Sequence, residues 1–205
     1  MAKNFAEIAF TDAVKKLQEK YGSRNSYERM EKFSVIDGLT DNEMTFIENR
    51  DSFYLASIGV KEFPYVQHRG GPKGFLKVLD TKRIGFIDFI GNRQYVSVGN
   101  MATNTNVSLI MIDYPSKSRL KIFAKAEIVE LDDNSELFKT LNLDNYKFRP
   151  ERMMVFHIEA YDWNCPQHIT PRYTTEEIEA AFLPQQKHIT SLEQEIRELK
   201  EKINL

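Results

Sequence analysis

Residues 63–114 read FPYVQHRGGPKGFLKVLDTKRIGFIDFIGNRQYVSVGNMATNTNVSLIMIDY. Short apolar runs alternate here with turns built on Gly, Asn and Asp. The connections DTKR and GN are too short for a crossover, so neighbouring runs should pair as antiparallel strands. In the run at 84–90, Ile84, Phe86, Asp88 and Ile90 alternate with Gly85, Ile87 and Phe89, the period of two that marks a strand. Basic and amide side chains recur on and between the runs: Gln67, His68, Arg69, Lys77, Asn92, Arg93, Gln94 and Asn100. Arg forks, Lys and backbone N–H groups at Gly-rich turns are the groups that hold phosphate. A barrel with an ordinary solvated basic rim would use the same residue types, so composition alone leaves both readings open.

Working outward, strand signals continue in both directions. They fall at 53–60, 64–69, 75–80, 84–90, 94–99, 107–114, 119–130 and 152–163. So many short strands at this spacing predict a mainly β fold, an antiparallel split barrel of six to eight strands with peripheral helices. Before the strands, Phe10, Val14, Leu17 and Tyr21 form a helical stripe that Thr11 or Asp12 can cap and Gly22 can end. The polar segment SRNSYERMEK reads as a surface crossing. Thr40 and Glu43 make a capping box, with Leu39 and Met44 as its staple, opening a helix at about 41–50. A further helix is expected within 131–147. This gives an N-terminal helical segment at 1–50, a barrel at 51–172 and C-terminal helices at 173–205.

The C-terminal segment opens on a second capping box, Thr174 with Glu177, and Pro184 is expected to end that helix. Ile189, Leu192, Ile196, Leu199 and Ile203 then follow at spacings of three and four, a short heptad seam with Ile at a and Leu at d. The seam could pair with its two-fold mate or dock on a barrel helix.

The chain has 205 residues and a net charge of -2, which gives no overall attraction for nucleic acid. No apolar run reaches the roughly 20 residues of a membrane helix. A single Cys fits a reducing compartment, and the expectation is a cytoplasmic protein. No metal is expected, because His68, His157, His168 and Cys165 lack ligand spacing. Cys165 has no base placed beside it by the sequence, and there is no P-loop, GxSxG or GxGxxG motif. The segment YDWNCPQHITPRY sets the only Trp, Trp163, among Asn164, Gln167, His168 and Arg172, a stiff amide-rich loop able to meet a planar ligand.

In order, PYVQHRGG, GFLKVLD, IGFIDFIGNRQYVSVGN, NTNVSLIMIDY and RLKIFAKAEIVE resemble the pyridoxamine 5′-phosphate oxidase-like family of FMN-binding split barrels. The late DWNCPQHITPR at 162–172 is similar to the signature of its predicted flavin-nucleotide-binding subgroup. The resemblance covers roughly residues 40–175. It implies FMN as cofactor and a homodimer with flavin sites at the subunit interface. It places Gln67, His68, Arg69 and Lys77 on phosphate-binding strands. The turn-to-helix step of the family corresponds either to Gly91-Asn92-Arg93-Gln94 or to Gly99-Asn100. Arg119, or its neighbour Leu120, falls at a further polar contact, and Trp163 and Gln167 would cap the flavin. The Arg-His segment with which true pyridoxamine phosphate oxidases recognise their substrate is missing here. The resemblance therefore implies flavin redox chemistry on an unidentified small molecule, with no catalytic side chain named. The alternative is a non-catalytic carrier or sensor for flavin, or for another phosphorylated or porphyrin ligand.

Overall fold

Seven antiparallel strands form one sheet in the order β2-β1-β5-β6-β7-β4-β3 in the computed structural model, which describes residues 4–33, 37–164 and 166–203. In chain order the elements are α1 (Phe5–Ala9), α2 (Asp12–Lys20), α3 (Arg24–Phe33), α4 (Asp41–Glu48), β1 (Ser52–Ile58), β2 (Pro64–Gly70), β3 (Lys77–Asp80) and β4 (Arg83–Phe89). They continue as α5 (Val96–Thr103), β5 (Asn106–Asp113), β6 (Ser118–Val129), α6 (Ser135–Leu141), β7 (Pro150–Asn164) and α7 (Thr175–Ile203). Two units are distinct: Met1–Asp113 with Ser118–Pro166, and Tyr114–Lys117 with Gln167–Leu205. The first carries the sheet and the second carries α7. The architecture is mainly β with peripheral helices, a split barrel, as the sequence predicts.

The long antiparallel pair β6–β7, joined through α6, is the spine of the sheet. Its register slips where Phe123 faces Ala160 and Ala124 faces Ile158, so Glu159 is the extra residue of a bulge that bends β7. β2 and β3 are the ends of the ladder. The inner rows are apolar because residues two apart share a face. Ile84 and Phe86 on β4, Met154 and Phe156 on β7, and Phe53 and Leu55 on β1 are all at most 2% exposed. Phe53, which reaches in from the far side of the ladder, stacks on Phe75 and meets Phe86 and Phe156 edge-on, with centroids 5.5–6.2 Å apart. The outer face of β4 and β7 is covered by α6, where Leu141 joins Ile87 and Met153 in a smaller cluster.

Three expectations need correction. The segment 94–99 is no strand: α5 occupies Val96–Thr103. The alternation there is too short to decide, whereas Ser97 and Met101, one helical turn apart, are the two residues the helix buries. SRNSYERMEK is helical in α3. A polar helix survives here through charge pairs: Arg24 forks onto Glu31 at 2.8 Å and reaches Gln18, and Glu28 pairs with Lys32 one turn on. Pro184 does not end its helix, since α7 runs through it. The Thr174–Glu177 box does open α7 as expected, with Glu177 accepting the Thr174 N–H at 2.8 Å.

The aromatic cluster gives a test of the core. Phe86→Ala should lower the unfolding free energy by ~3–5 kcal/mol, read as a shift of the urea midpoint. Val66→Ala, at an exposed site on β2, should change it by no more than about 0.5 kcal/mol. Equal shifts for the two variants would show that the four rings are not the core.

Candidate functional site

The inner rows of the barrel end in charge. On β4 the row Ile84, Phe86 continues to Asp88, and on β7 the row Phe156, Met154 continues to Arg152, which faces Asp88 in register. Asp88 is 3% exposed. A buried carboxylate must be paired or protonated. Arg152 Nη1 donates to Asp88 Oδ2 at 3.0 Å, and Arg69 Nη1 donates to Oδ1 at 2.6 Å. Arg69 lies on β2, the far end of the ladder, so its bond to Asp88 joins β2 to β4, two strands that no backbone hydrogen bond connects. Burial pushes the Asp88 carboxyl up, and the two guanidinium groups only partly draw it back.

A cleft of about 210 Å³ opens beside the triad. Its walls are Gln67 and Arg69 of β2, Asp88 and Phe89 of β4, the loop residues Gly91, Asn92, Arg93 and Tyr95, the first turn of α5, and Glu151 and Arg152 of β7. Ser97 Oγ donates to Gln67 Oε1 at 2.8 Å and ties α5 to β2. Tyr95 Oη donates to Glu151 Oε1 at 2.6 Å, and the Arg152 guanidinium lies over the Tyr95 ring at 5.2 Å. That hydrogen bond raises the Tyr95 hydroxyl's pKa and lowers that of the Glu151 carboxyl.

Three features make this cleft ready for an anion. Three arginines, Arg69, Arg93 and Arg152, meet two carboxylates, Asp88 and Glu151, leaving an excess of positive charge. The first N–H groups of α5 have no intrahelical acceptor, and Tyr95 at the N-cap supplies no side-chain cap. Arg69 Nε is buried without a hydrogen-bond partner among the described residues. The approach to α5 is also strained. Arg93 and Tyr95 hold φ of 59° and 54°, left-handed values that cost a non-Gly residue of order 1 kcal/mol or more.

The residues singled out from the sequence divide into two groups. Gln67, Arg69, Asn92 and Arg93 line the cleft. Gln94 stands beside it, its backbone N–H on Asn92 Oδ1 at 3.1 Å. Of the two Gly-Asn turns, 91–94 leads into a helix, whereas Gly99 and Asn100 lie inside α5, where Asn100 Nδ2 donates to Ser57 Oγ. His68 points to the other face of β2, its ring edge on Tyr54. Lys77 borders a separate hollow with Lys73, Asn142 and Tyr146. Arg119 sits on β6 between Ile112 and Asn164. Trp163 is on β7, its Nε1 on Glu43 Oε1 at 2.6 Å and its ring edge-on to Phe46. Gln167 belongs to the second unit and is exposed, and Cys165 lies outside the described residues.

Asp88, Arg152, Tyr95, Ser97 and Glu151 are cleft residues that the sequence did not single out. Asp88 carried a signal: an acid in an apolar inner row demands a cation opposite. Ser97 carried none while its segment was read as a strand.

The family model for pyridoxamine 5′-phosphate oxidase matches residues 39–162, more than half of the chain. The chain belongs to the pyridoxamine 5′-phosphate oxidase family. The match begins at Leu39, just before α4, and ends at Asp162 on β7, so it takes in the whole cleft of this family member. No curated protein matches it. Among solved structures it is similar to a candidate pyridoxamine 5′-phosphate oxidase from Lactobacillus delbrueckii, at 22% identity, with 63% of this chain and 97% of that one covered and a TM-score of 0.48. HupZ of Group A Streptococcus gives 13%, 66%, 100% and 0.47. An FMN-binding protein from Syntrophomonas wolfei gives 13%, 72%, 97% and 0.46. These likenesses carry no weight for ligand or activity.

Glu43 offers a test of what Trp163 does. Its buried carboxylate takes hydrogen bonds from Thr40, Tyr161 and Trp163. Burial pushes the carboxyl up, but these hydrogen bonds outweigh it and hold Glu43 below the usual carboxylate range. A depressed folded value means stability that is present above the unfolded pKa and is lost as pH falls through the folded one. Glu43→Gln should therefore cost about 1.5–3 kcal/mol at neutral pH and flatten the acid limb of the stability curve in urea melts. An unchanged acid limb would show that Glu43 does not titrate with unfolding.

Proposed function

We propose that this family member is a cytoplasmic flavoprotein that holds the phosphate end of FMN in the cleft at the start of α5 and exchanges electrons with a small molecule. The observation that carries this reading is the buried, unpartnered Nε of Arg69, set beside an uncapped helix N-terminus in a cleft with excess positive charge. A phosphate supplies the oxygens that such donors lack. Family membership supports flavin over other phosphorylated ligands. The single Cys agrees with a reducing compartment, and no helix among the described residues is long and apolar enough to cross a membrane.

Each wall then has a task. Arg69 and Arg93 hold the phosphate, with the first-turn N–H groups of α5 behind it. Asp88 and Arg152 keep Arg69 aimed into the cleft. Gln67, fixed by Ser97, offers an amide edge to the ligand, and Asn92 shapes the loop. When bound, FMN supplies the reversible electron uptake, and the protein supplies binding and orientation. At about 210 Å³ the cleft is smaller than the roughly 300–1,000 Å³ of pockets that enclose a whole ligand. It suits the phosphate and the adjoining chain. We assign the wall around the ring to a second copy, so that the working unit is a homodimer with shared sites. Residues 51–172 carry the site in this reading, with 1–50 and 173–205 as helical additions. His68, Lys77, Asn100, Arg119, Trp163 and Gln167 take no part in the phosphate grip proposed here.

Arg93 gives the cleanest test because it is exposed and outside the ion triad. Arg93→Ala should weaken FMN by roughly ten- to hundredfold and leave riboflavin, which has no phosphate, nearly unchanged. Quenching of flavin fluorescence in a titration of the two ligands reads this. Equal losses would assign Arg93 to loop structure alone. A colourless purified protein that takes up no FMN would overturn the flavin reading. A yellow protein whose flavin neither NADH nor NADPH reduces, or whose reduced flavin neither oxygen nor an added acceptor reoxidises, would point to a carrier.

A further inference from the structure

The helix α7 spans 29 residues without interruption, from Thr175 to Ile203. Its continuity through Pro184 lengthens the heptad seam. Counting back from Ile189 at a, Phe182 is at a and Ile178 at d, so the seam runs from Ile178 to Ile203 with Gln185 as its single polar member. Pro184 falls at c, on the outer side, where a lost N–H disturbs no seam residue. Every apolar residue of the seam is exposed, from 44% at Leu192 to 81% at Ile203. From Ile189 onward the outer positions, such as Gln194, Arg197 and Glu201, are polar, whereas the stretch before it also carries Ala180 and Leu183 outside the seam.

We propose that α7 pairs, parallel and in register, with α7 of a second copy of this chain. Two properties of the helix select this occupant. From 189 to 203 the apolar residues form the narrow a/d stripe of a coiled coil, with Ile at a and Leu at d, the combination that favours two parallel strands. A helix docking on a globular core shows a broader apolar face. The flanking charges agree. In the parallel arrangement each g residue meets the following e residue of its mate, and Glu195 meets Lys200. A membrane surface is disfavoured, since the polar face is mixed in sign and not rich in Lys and Arg. The full helix extends about 44 Å, long enough for three heptads of contact. The seam uses no residue of the cleft, so this pairing stands or falls separately from flavin binding.

Disulfide trapping of the full chain, in a Cys165→Ser background, decides the point. With Leu199→Cys at d, the two equal positions face one another across a parallel seam. Mild oxidation should move most of the protein to twice the chain mass on a non-reducing gel. Ile203→Cys at a should do the same, while Glu198→Cys at the outer c position should stay at single mass. Cross-linking by Leu199→Cys only when mixed with a Phe182→Cys chain would mean antiparallel pairing and overturn the proposal. So would an absence of cross-links at both seam positions, which would assign the stripe to its own chain or to another protein. Equal cross-linking at position 198 would show chance collision, and would also overturn it.

Discussion

The ion triad of Asp88 with Arg69 and Arg152 is the interaction on which the rest of the sheet depends. A split barrel has two free ladder ends and needs something other than backbone hydrogen bonds to draw them together. In this chain the aromatic cluster does so at one level, through Phe53 against Phe86 and Phe156. At the next level up the same inner rows, Asp88 does so by charge. The change from rings to ions along a single row turns a closed core into an open cleft. Loss of one arginine would leave a buried carboxylate short of a partner, a costlier change than loss of a surface ion pair of the same length.

The triad also has an electrostatic role beyond closure. Two guanidinium groups aimed at one cleft would repel each other without a counter-charge. Asp88 neutralises part of that charge by binding Nη1 of Arg69, and the Nε of the same guanidinium keeps no hydrogen-bond partner among the described residues. The loop at 91–95 works in the same direction by strain. Its two left-handed residues hold the backbone in the pose that starts α5 beside the arginines. The cleft walls are thus held by contacts within the chain itself.

Much of this was legible in the chain. Period-two alternation and short turns gave all the observed strands within a few residues, and both capping boxes marked true helix starts. Gln67 and Arg69, two apart on one strand, had to share a face, and the structure puts both in the cleft. The errors have common physical causes. The segment around Ser97 is too short for its period to speak, and burial of Met101 beyond its end decides for helix. The helix α3 carries only a thin apolar signal, Tyr27, Met30 and Phe33 at spacings of three, within a run that is otherwise polar and laced with charge pairs. Pro184 was read as a stop, but one missing N–H does not outweigh good helix formers on both sides. Arg152 was invisible as a site residue because its role depends on register with Asp88, 64 positions away, and pairing at that separation is set by topology.

The lone Trp adds a practical property to this architecture. Trp163 is the chain's only indole, and its N–H ends on a carboxylate at the seam between α4 and β7. Indole emission, excited selectively on the red edge where the nine tyrosines do not absorb, therefore comes from a single joint, with an ionisable acceptor 2.6 Å from the chromophore. The molecule carries a built-in optical gauge of whether α4 is seated on its last strand. That gauge reads the seat of the helix independently of the strand-end ion cluster that closes the barrel.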